Sequence, residues 1–165
     1  MSHETLDLES FLPYRLHHLA DMVSREFSKI YGNRFDLTRP EWRVLSGLGQ
    51  HGTLTAKALG EQSAMHKTKV SRAVAELERR RWLKRRPDEK DRRLEHLTLT
   101  KAGLDAYREM VPLAKAFERH LSQAIGAAPL AEFDSGLKRL EAFMRVGGAK
   151  TGQGAGDLVD PSLPT

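Results

Sequence analysis

The sequence predicts a mainly α-helical chain that carries one small, basic β-hairpin. Three observations predict it. Apolar residues recur at steps of three and four through several stretches, the signature of helices with one buried face. Two short extended runs flank a charged turn that opens on a proline. Positive charge is gathered into one stretch, residues 63–93, which holds twelve of the 27 Lys and Arg and five of the 22 Asp and Glu. That stretch carries +7 against +5 for the whole chain, leaving −2 elsewhere. Such concentration is the footprint of a nucleic-acid reader, because each neutralised phosphate releases condensed counterion. A solvated helix face produces charge runs too, so the order of residues inside the run has to decide.

In chain order, residues 8–31 place Leu12, Leu16, Leu19, Val23, Phe27 and Ile30 on one helix face. Pro13 belongs in the first turn, Ser10 is the expected N-cap and Gly32-Asn33 the expected stop. Thr38-Arg39-Pro40-Glu41 reads as a capping box with an early proline. The helix it opens buries Trp42, Leu45 and Leu48 and is expected to close at Gly49. A strand-like Thr53-Leu54 follows. Thr55 then caps a short third helix with Leu59 inward and a turn at Gln62-Ser63. The fourth helix, 66–80, buries Val70, Ala73 or Val74, and Leu77. Extended runs at 82–86 and 93–99 enclose the turn 87–92, with Leu97 and Leu99 inward. Thr100 caps a long helix to about Ile125, whose stripe is Leu104, Tyr107, Val111, Ala114, Phe117 and Leu121. Pro112 inside it predicts a kink. Pro129 opens a last helix with Leu130, Phe133, Leu137, Leu140 and Met144 at helical spacing.

Two short helices joined by a tight turn, the second exposing small polar and basic side chains, form a helix-turn-helix. A basic hairpin directly after it is a wing. The predicted fold class is therefore mainly α with a small β-wing: a winged helix-turn-helix domain flanked by N- and C-terminal dimerisation helices. Residues 1–9 form an N-terminal extension, 10–36 and 101–146 the dimerisation helices, 37–100 the DNA-binding domain, and 147–165 a disordered tail rich in glycine. Terminal helices this apolar exceed what so small a core covers, and a two-fold homodimer is their expected outlet.

Composition narrows the function classes. There is no cysteine, which removes disulfides, thiolate metal sites and thiol redox chemistry together. The N-terminus is acidic without an apolar core, so no secretory signal or membrane span is expected, and a cytoplasmic location is. Gly47-Leu48-Gly49-Gln50-His51-Gly52 matches a dinucleotide fingerprint literally, but it follows a helix instead of a strand and lacks the ribose-binding acid. His17 and His18 are adjacent on a helix and diverge. No metal, no cofactor and no catalytic constellation is expected, so the chain reads as a non-enzyme.

The recognition segment HKTKVSRAVAELERR, the wing-tip Asp91-Arg92-Arg93 and Leu99-Thr100-Lys101-Ala102-Gly103 together resemble the MarR family of bacterial transcription regulators, across about residues 10–146. The resemblance implies an obligate dimer that binds a roughly palindromic double-stranded DNA operator through two recognition helices and two wings. Two positions depart from the family's pattern. His66 stands where the recognition helix usually has an acidic cap, and Arg81 where glycine usually follows that helix. Either Arg81 adopts a left-handed conformation, at about 1 kcal/mol, or the helix continues past it.

In a winged helix the recognition helix enters the major groove. Lys67, Thr68, Lys69, Ser71 and Arg72 are the expected groove set, with Arg72 the guanine reader. Arg93 resembles a wing-tip arginine for the minor groove, oriented by Asp91, although a turn-stabilising ion pair would look the same. Arg85, Arg86 and Lys90 are expected phosphate contacts, and Arg79 and Arg80 either phosphate contacts or a solvated face. The resemblance also implies a small aromatic carboxylate or phenolic effector held between the dimerisation helices and the winged domain. Tyr14, Arg15, His17, His18, Trp42 and Arg43 are the candidates, with Arg15 and His18 as the anchoring pair; the alternative is that Tyr14 and Trp42 are core and Arg15 solvated. The functional expectation is a ligand-released repressor. An effector-independent architectural DNA-binding protein is the alternative.

Overall fold

Thr38 and Glu41 close the predicted capping box: the Glu41 carboxylate accepts from the Thr38 backbone N–H at 2.9 Å, and Pro40 occupies the first turn. This and the other local signals can be followed through the computed structural model, which describes residues 5–88, 91 and 94–150. The element order is α1 (Leu12–Phe35), α2 (Arg39–His51), β1 (Thr53–Thr55), α3 (Ala56–Ser63), α4 (Lys67–Arg79), β2 (Leu83–Pro87), β3 (Glu95–Leu99), α5 (Lys101–Ile125) and α6 (Ala127–Lys150). The mainly α class with a three-stranded β-wing is the class expected. The chain divides into two compact units, one ending at Phe117 and one beginning at Glu118.

The first unit is built around α2 and α4. Val44, Leu45 and Leu48 of α2 meet Val70, Ala73, Val74 and Leu77 of α4, with Leu59, Leu83 and Leu97 completing the core. These α4 positions follow an i, i+3, i+4, i+7 pattern, so burial of one stripe forces the remaining faces outward. Truncating Leu77, which has no exposure at all, would cost about 2–5 kcal/mol. The sheet order is β1-β3-β2, antiparallel throughout. Thr55 caps α3 by accepting from Ala58 N–H at 3.2 Å, and Thr100 caps α5 by accepting from Gly103 N–H at 3.2 Å.

Several boundaries differ from expectation. Helix α1 runs through Gly32-Asn33 to Phe35, because Tyr31 and Phe35 both pack on the core and hold that turn helical. Its N-cap is Phe11; the Ser10 hydroxyl instead donates to the Asp7 carbonyl. Helix α2 passes Gly49 and stops at Gly52, whose φ of 79° suits glycine. Gly49 serves packing, since a Cβ there would lie 2.5 Å from the Tyr107 ring. Helix α4 starts and ends one residue inside the predicted span.

Helix α5 is continuous through Pro112. Its fully buried line is Gly103, Ala106 and Met110, one residue round from the predicted stripe, whose members are half-buried. Gly103 lets this helix approach the chain at Trp82 closely, since a Cβ on it would overlap the Trp82 carbonyl. In the second unit, α6 continues past Gly147-Gly148 to Lys150, so the tail predicted as disordered from 147 begins with helix. The rest of that tail lies outside the described residues. Leu130, Leu137 and Leu140 are half-buried, while Phe133, Phe143 and Met144 are exposed.

Candidate nucleic-acid interface

Helix α4 is presented by a tight turn. Ala64 takes a left-handed conformation at φ 49°, and Met65 N–H donates to the Gly60 carbonyl at 3.0 Å. His66 extends into the N-cap position, where its Nδ1 accepts from Thr68 N–H at a long 3.4 Å. The departure from an acidic cap therefore keeps the capping function in weakened form. Beyond it Lys67, Thr68, Lys69, Ser71 and Arg72 are all exposed, on the faces left by Val70, Ala73, Val74 and Leu77. No side-chain hydrogen bond or ion pair joins Lys67, Lys69 or Arg72 to any described residue. Three unneutralised cations thus crowd the first two turns of an outward-facing helix. Their own helix dipole disfavours them there and an external polyanion would compensate them.

The wing divides its basic residues by strand alternation. Arg85 pairs across the strands with Leu97 and turns to the α4 side, where Nε meets Glu78 at 3.0 Å and Nη1 meets Glu95 at 2.9 Å. Those carboxylates, Glu95 first, raise its pKa further. Arg85 is therefore a clamp between strand and helix, and the expected phosphate contact would require breaking two ion pairs. Lys84 and Arg86 stand on the opposite face beside Thr98 and His96, exposed and without an ion pair to any described residue.

Asp88 organises the tip, and the sequence reading missed it. Its Oδ1 accepts from Asp91 N–H at 2.9 Å and its Oδ2 lies 2.7 Å from His96 Nε2. Its backbone N–H donates to the Leu94 carbonyl at 2.9 Å. An aspartate bonding a backbone N–H three residues on, just after a proline, is the retrievable signal for this turn. Asp91 is exposed at the tip. Lys90 and Arg93, the remaining wing candidates, lie outside the described residues.

Between recognition helix and wing, Arg81 has φ 60°, so α4 stops and the left-handed alternative holds. The kink is braced: Thr100 Oγ1 donates to the Arg81 carbonyl at 2.7 Å, and Thr100 N–H donates to the Trp82 carbonyl at 2.9 Å. Neither Arg79 nor Arg80 is a bare solvated cation. Both bond the Glu76 carboxylate, Arg79 at 2.6 and 2.8 Å and Arg80 at 2.8 Å. Those hydrogen bonds, Arg79's first, hold the Glu76 carboxyl down at about 2. Arg80 also donates to the carbonyls of Phe35 and Asp36, at 2.9 and 2.7 Å.

The six effector candidates fall into separate settings. Tyr14 stacks on His18 with centroids 6.1 Å apart, so His18 pairs with Tyr14 and not with Arg15. Arg15 and His17 are exposed on the same turns. Trp42 belongs to an interior aromatic cluster, stacked on Tyr31 at 5.7 Å and edge-on to Phe27 at 5.3 Å. Arg43 is occupied, donating to the Ser63 carbonyl at 3.1 Å. Beside this cluster Arg39 bridges α2 to Asp21 of α1 at 3.1 Å, a hydrogen bond that lowers the Asp21 pKa. Tyr31, 1% exposed, keeps its hydroxyl buried without a hydrogen-bond partner among the described residues. Burial raises its pKa against the nearby Arg39.

Among curated proteins none matches this sequence. Residues 35–94 match the family model described as MarR family. The fold is similar to that of a MarR family transcriptional regulator from Silicibacter pomeroyi, at 24% identity and TM-score 0.75, covering 85% of this chain and 99% of that one. It is similar to FabT of Streptococcus pneumoniae, solved in complex with DNA, at 24% identity and TM-score 0.66, covering 84% and 98%. It is also similar to BpsR of Bordetella bronchiseptica, whose DNA binding is regulated by 6-hydroxynicotinic acid, at 20% identity and TM-score 0.72, covering 84% and 98%. The match to the MarR family model thus spans the helix-turn-helix and the start of the wing, residues 35–94, and the fold around it is similar to that of MarR family transcriptional regulators.

Proposed function

We propose that the protein is a homodimeric, sequence-specific DNA-binding repressor that leaves a palindromic operator when a small aromatic acid binds. The observation that carries the DNA reading is the exposed row Lys67, Lys69 and Arg72, paired with no described residue and interleaved with Thr68 and Ser71. Lysines and hydroxyls there suit phosphates and thymine methyls, and a bidentate arginine suits guanine. Arg86 adds a phosphate contact from the wing, with Lys90 and Arg93 extending it. FabT, of similar fold, was solved on DNA.

Dimerisation is supported by the apolar side chains that α1 and α6 each leave exposed, among them Leu12, Leu19 and Met22 on the first and Phe133, Phe143 and Met144 on the second. Large exposed apolar residues along terminal helices mark a surface for another chain. The effector reading is supported by the Tyr31 hydroxyl, which has no hydrogen-bond partner among the described residues and sits within an aromatic cluster, and by the aromatic acid that regulates BpsR. A flat apolar wall with one unsatisfied donor fits an aryl carboxylate or phenol. Release requires only that such a ligand favour the dimer geometry that binds DNA less well.

The test is enrichment of preferred duplexes from a random pool, followed by anisotropy titration with and without aromatic carboxylates that raise the melting temperature. An enriched palindrome, weakened by one such acid, is expected. Equal affinity for enriched and random duplex would refute sequence-specific repression. The commitment of Trp42 to the interior and Arg43 to Ser63 favours the second reading, an effector-independent architectural protein, and no acid would then shift melting or DNA affinity.

A further inference from the structure

We infer that Arg80 is the positioning residue through which α1 sets the attitude of the recognition helix on DNA, an inference that rests on the DNA-binding reading above. Arg80 directly follows α4, yet its guanidinium reaches the far end of α1. Nη1 donates to the Phe35 carbonyl at 2.9 Å and Nη2 to the Asp36 carbonyl at 2.7 Å, with the Asp36 carboxylate 3.4 Å away. Nε keeps its own helix, donating to Glu76 Oε1 at 2.8 Å. One rigid, planar cation therefore bonds two helices whose contacting residues lie more than forty positions apart in sequence.

The carbonyls it takes are those left unsatisfied at the C-terminal end of α1, where the helix dipole is negative and a cation is favoured. The group is largely shielded, its side chain 19% exposed, and it stands 5.8 Å from the Trp82 ring centroid. The backbone on both sides is equally particular. Asp36 and Arg81, two of the three described non-glycine residues with positive φ, flank this one guanidinium. Left-handed residues persist where surrounding contacts over-determine them, and such places mark hinges and switches. A tilt of α1 is thus delivered to the C-terminal end of α4 through a bidentate hydrogen-bond pair. Lysine cannot reproduce it, since a single ammonium lacks the fixed fork.

The natural chain has no cysteine, so two can be introduced for spin labels. Lys29→Cys on α1 and Ala75→Cys on α4 are both exposed. The α1–α4 distance distribution within one protomer, measured in labelled protein diluted with unlabelled chain, is compared with and without Arg80→Lys. The same substitution in the cysteine-free chain is titrated against the enriched duplex and a random one. Because lysine keeps the charge, attraction to random duplex should change less than about two-fold. Affinity for the enriched duplex should fall about ten-fold or more, and the distance distribution should broaden or shift while melting stays cooperative. An unchanged distribution, or equal losses on both duplexes, overturns the inference. Should Arg80→Lys not melt cooperatively, Glu76→Gln, which removes the carboxylate that Arg80 and Arg79 share and adds one net positive charge, is read by the label distances alone, and an unchanged distribution overturns the inference. If the unsubstituted chain enriches no duplex, the DNA reading fails, and the label distances still decide whether Arg80 fixes the two helices.

Discussion

Arg85 and Glu78 are joined by a 3.0 Å ion pair that fastens the first wing strand to the recognition helix. The pair shows that cations adjacent in sequence have opposite duties here. Arg85 is spent inside the fold, while Arg86, one residue on and pointing the other way, is available to a ligand.

Replacing the two in parallel separates these duties. Arg86→Ala should lower the slope of log affinity against log salt by about 1, the mark of one lost phosphate contact. Arg85→Ala should leave that slope unchanged and reduce stability by up to about 1 kcal/mol, as a partly exposed ion-pair cluster does. Anisotropy over a salt series and urea unfolding measure the two; a lower slope for Arg85→Ala would restore it to the DNA contacts.

Arg72 should carry sequence information and not mere attraction. Arg72→Ala is expected to remove about 1–3 kcal/mol of discrimination between enriched and random duplexes, with a smaller loss on random DNA. Equal losses on the two would show that it contacts phosphate only.

Glu76 makes stability depend on acid in a specific window. Its carboxyl sits at about 2 in the fold against an ordinary 4.5, so the folded state favours the ionised form. The stabilisation is complete above about 4.5 and is lost as pH falls through the folded value. Urea unfolding between pH 5 and 2 should show a shallower acid decline for Glu76→Gln than for the natural chain. Parallel declines would mean that Arg79 and Arg80 do not hold the carboxylate ionised.

Gly103 and Gly136 give opposite forecasts for the same change. Gly103→Ala must displace the Trp82 backbone and should cost about 1–3 kcal/mol. Gly136 on α6 has open space around its Cβ position, so Gly136→Ala should stabilise that helix by up to about 1 kcal/mol. Chemical unfolding midpoints report both, and a neutral Gly103→Ala would show that α5 can slide off Trp82.

Residue pattern alone placed the helices, the caps at Thr38, Thr55 and Thr100, the α4 stripe at Val70 and Leu77 with one of Ala73 or Val74 between them, and the hairpin behind it; that both Ala73 and Val74 are buried came from the packing. Periodicity, capping chemistry and turn residues are local, and burial of one stripe dictates which side chains face outward. Tertiary structure alone decided which cations are free. Lys67, Arg72, Arg80 and Arg85 look alike in the sequence, yet Arg80 finds carbonyls on α1 and Arg85 finds two glutamates, while Lys67 and Arg72 bond no described residue. It also decided that Arg81 turns left-handed, because the Thr100 hydroxyl and the close approach at Gly103 fix the chain where α4 could otherwise have continued. Ion pairing and backbone strain depend on groups brought together from distant parts of the chain, and no local pattern records those encounters.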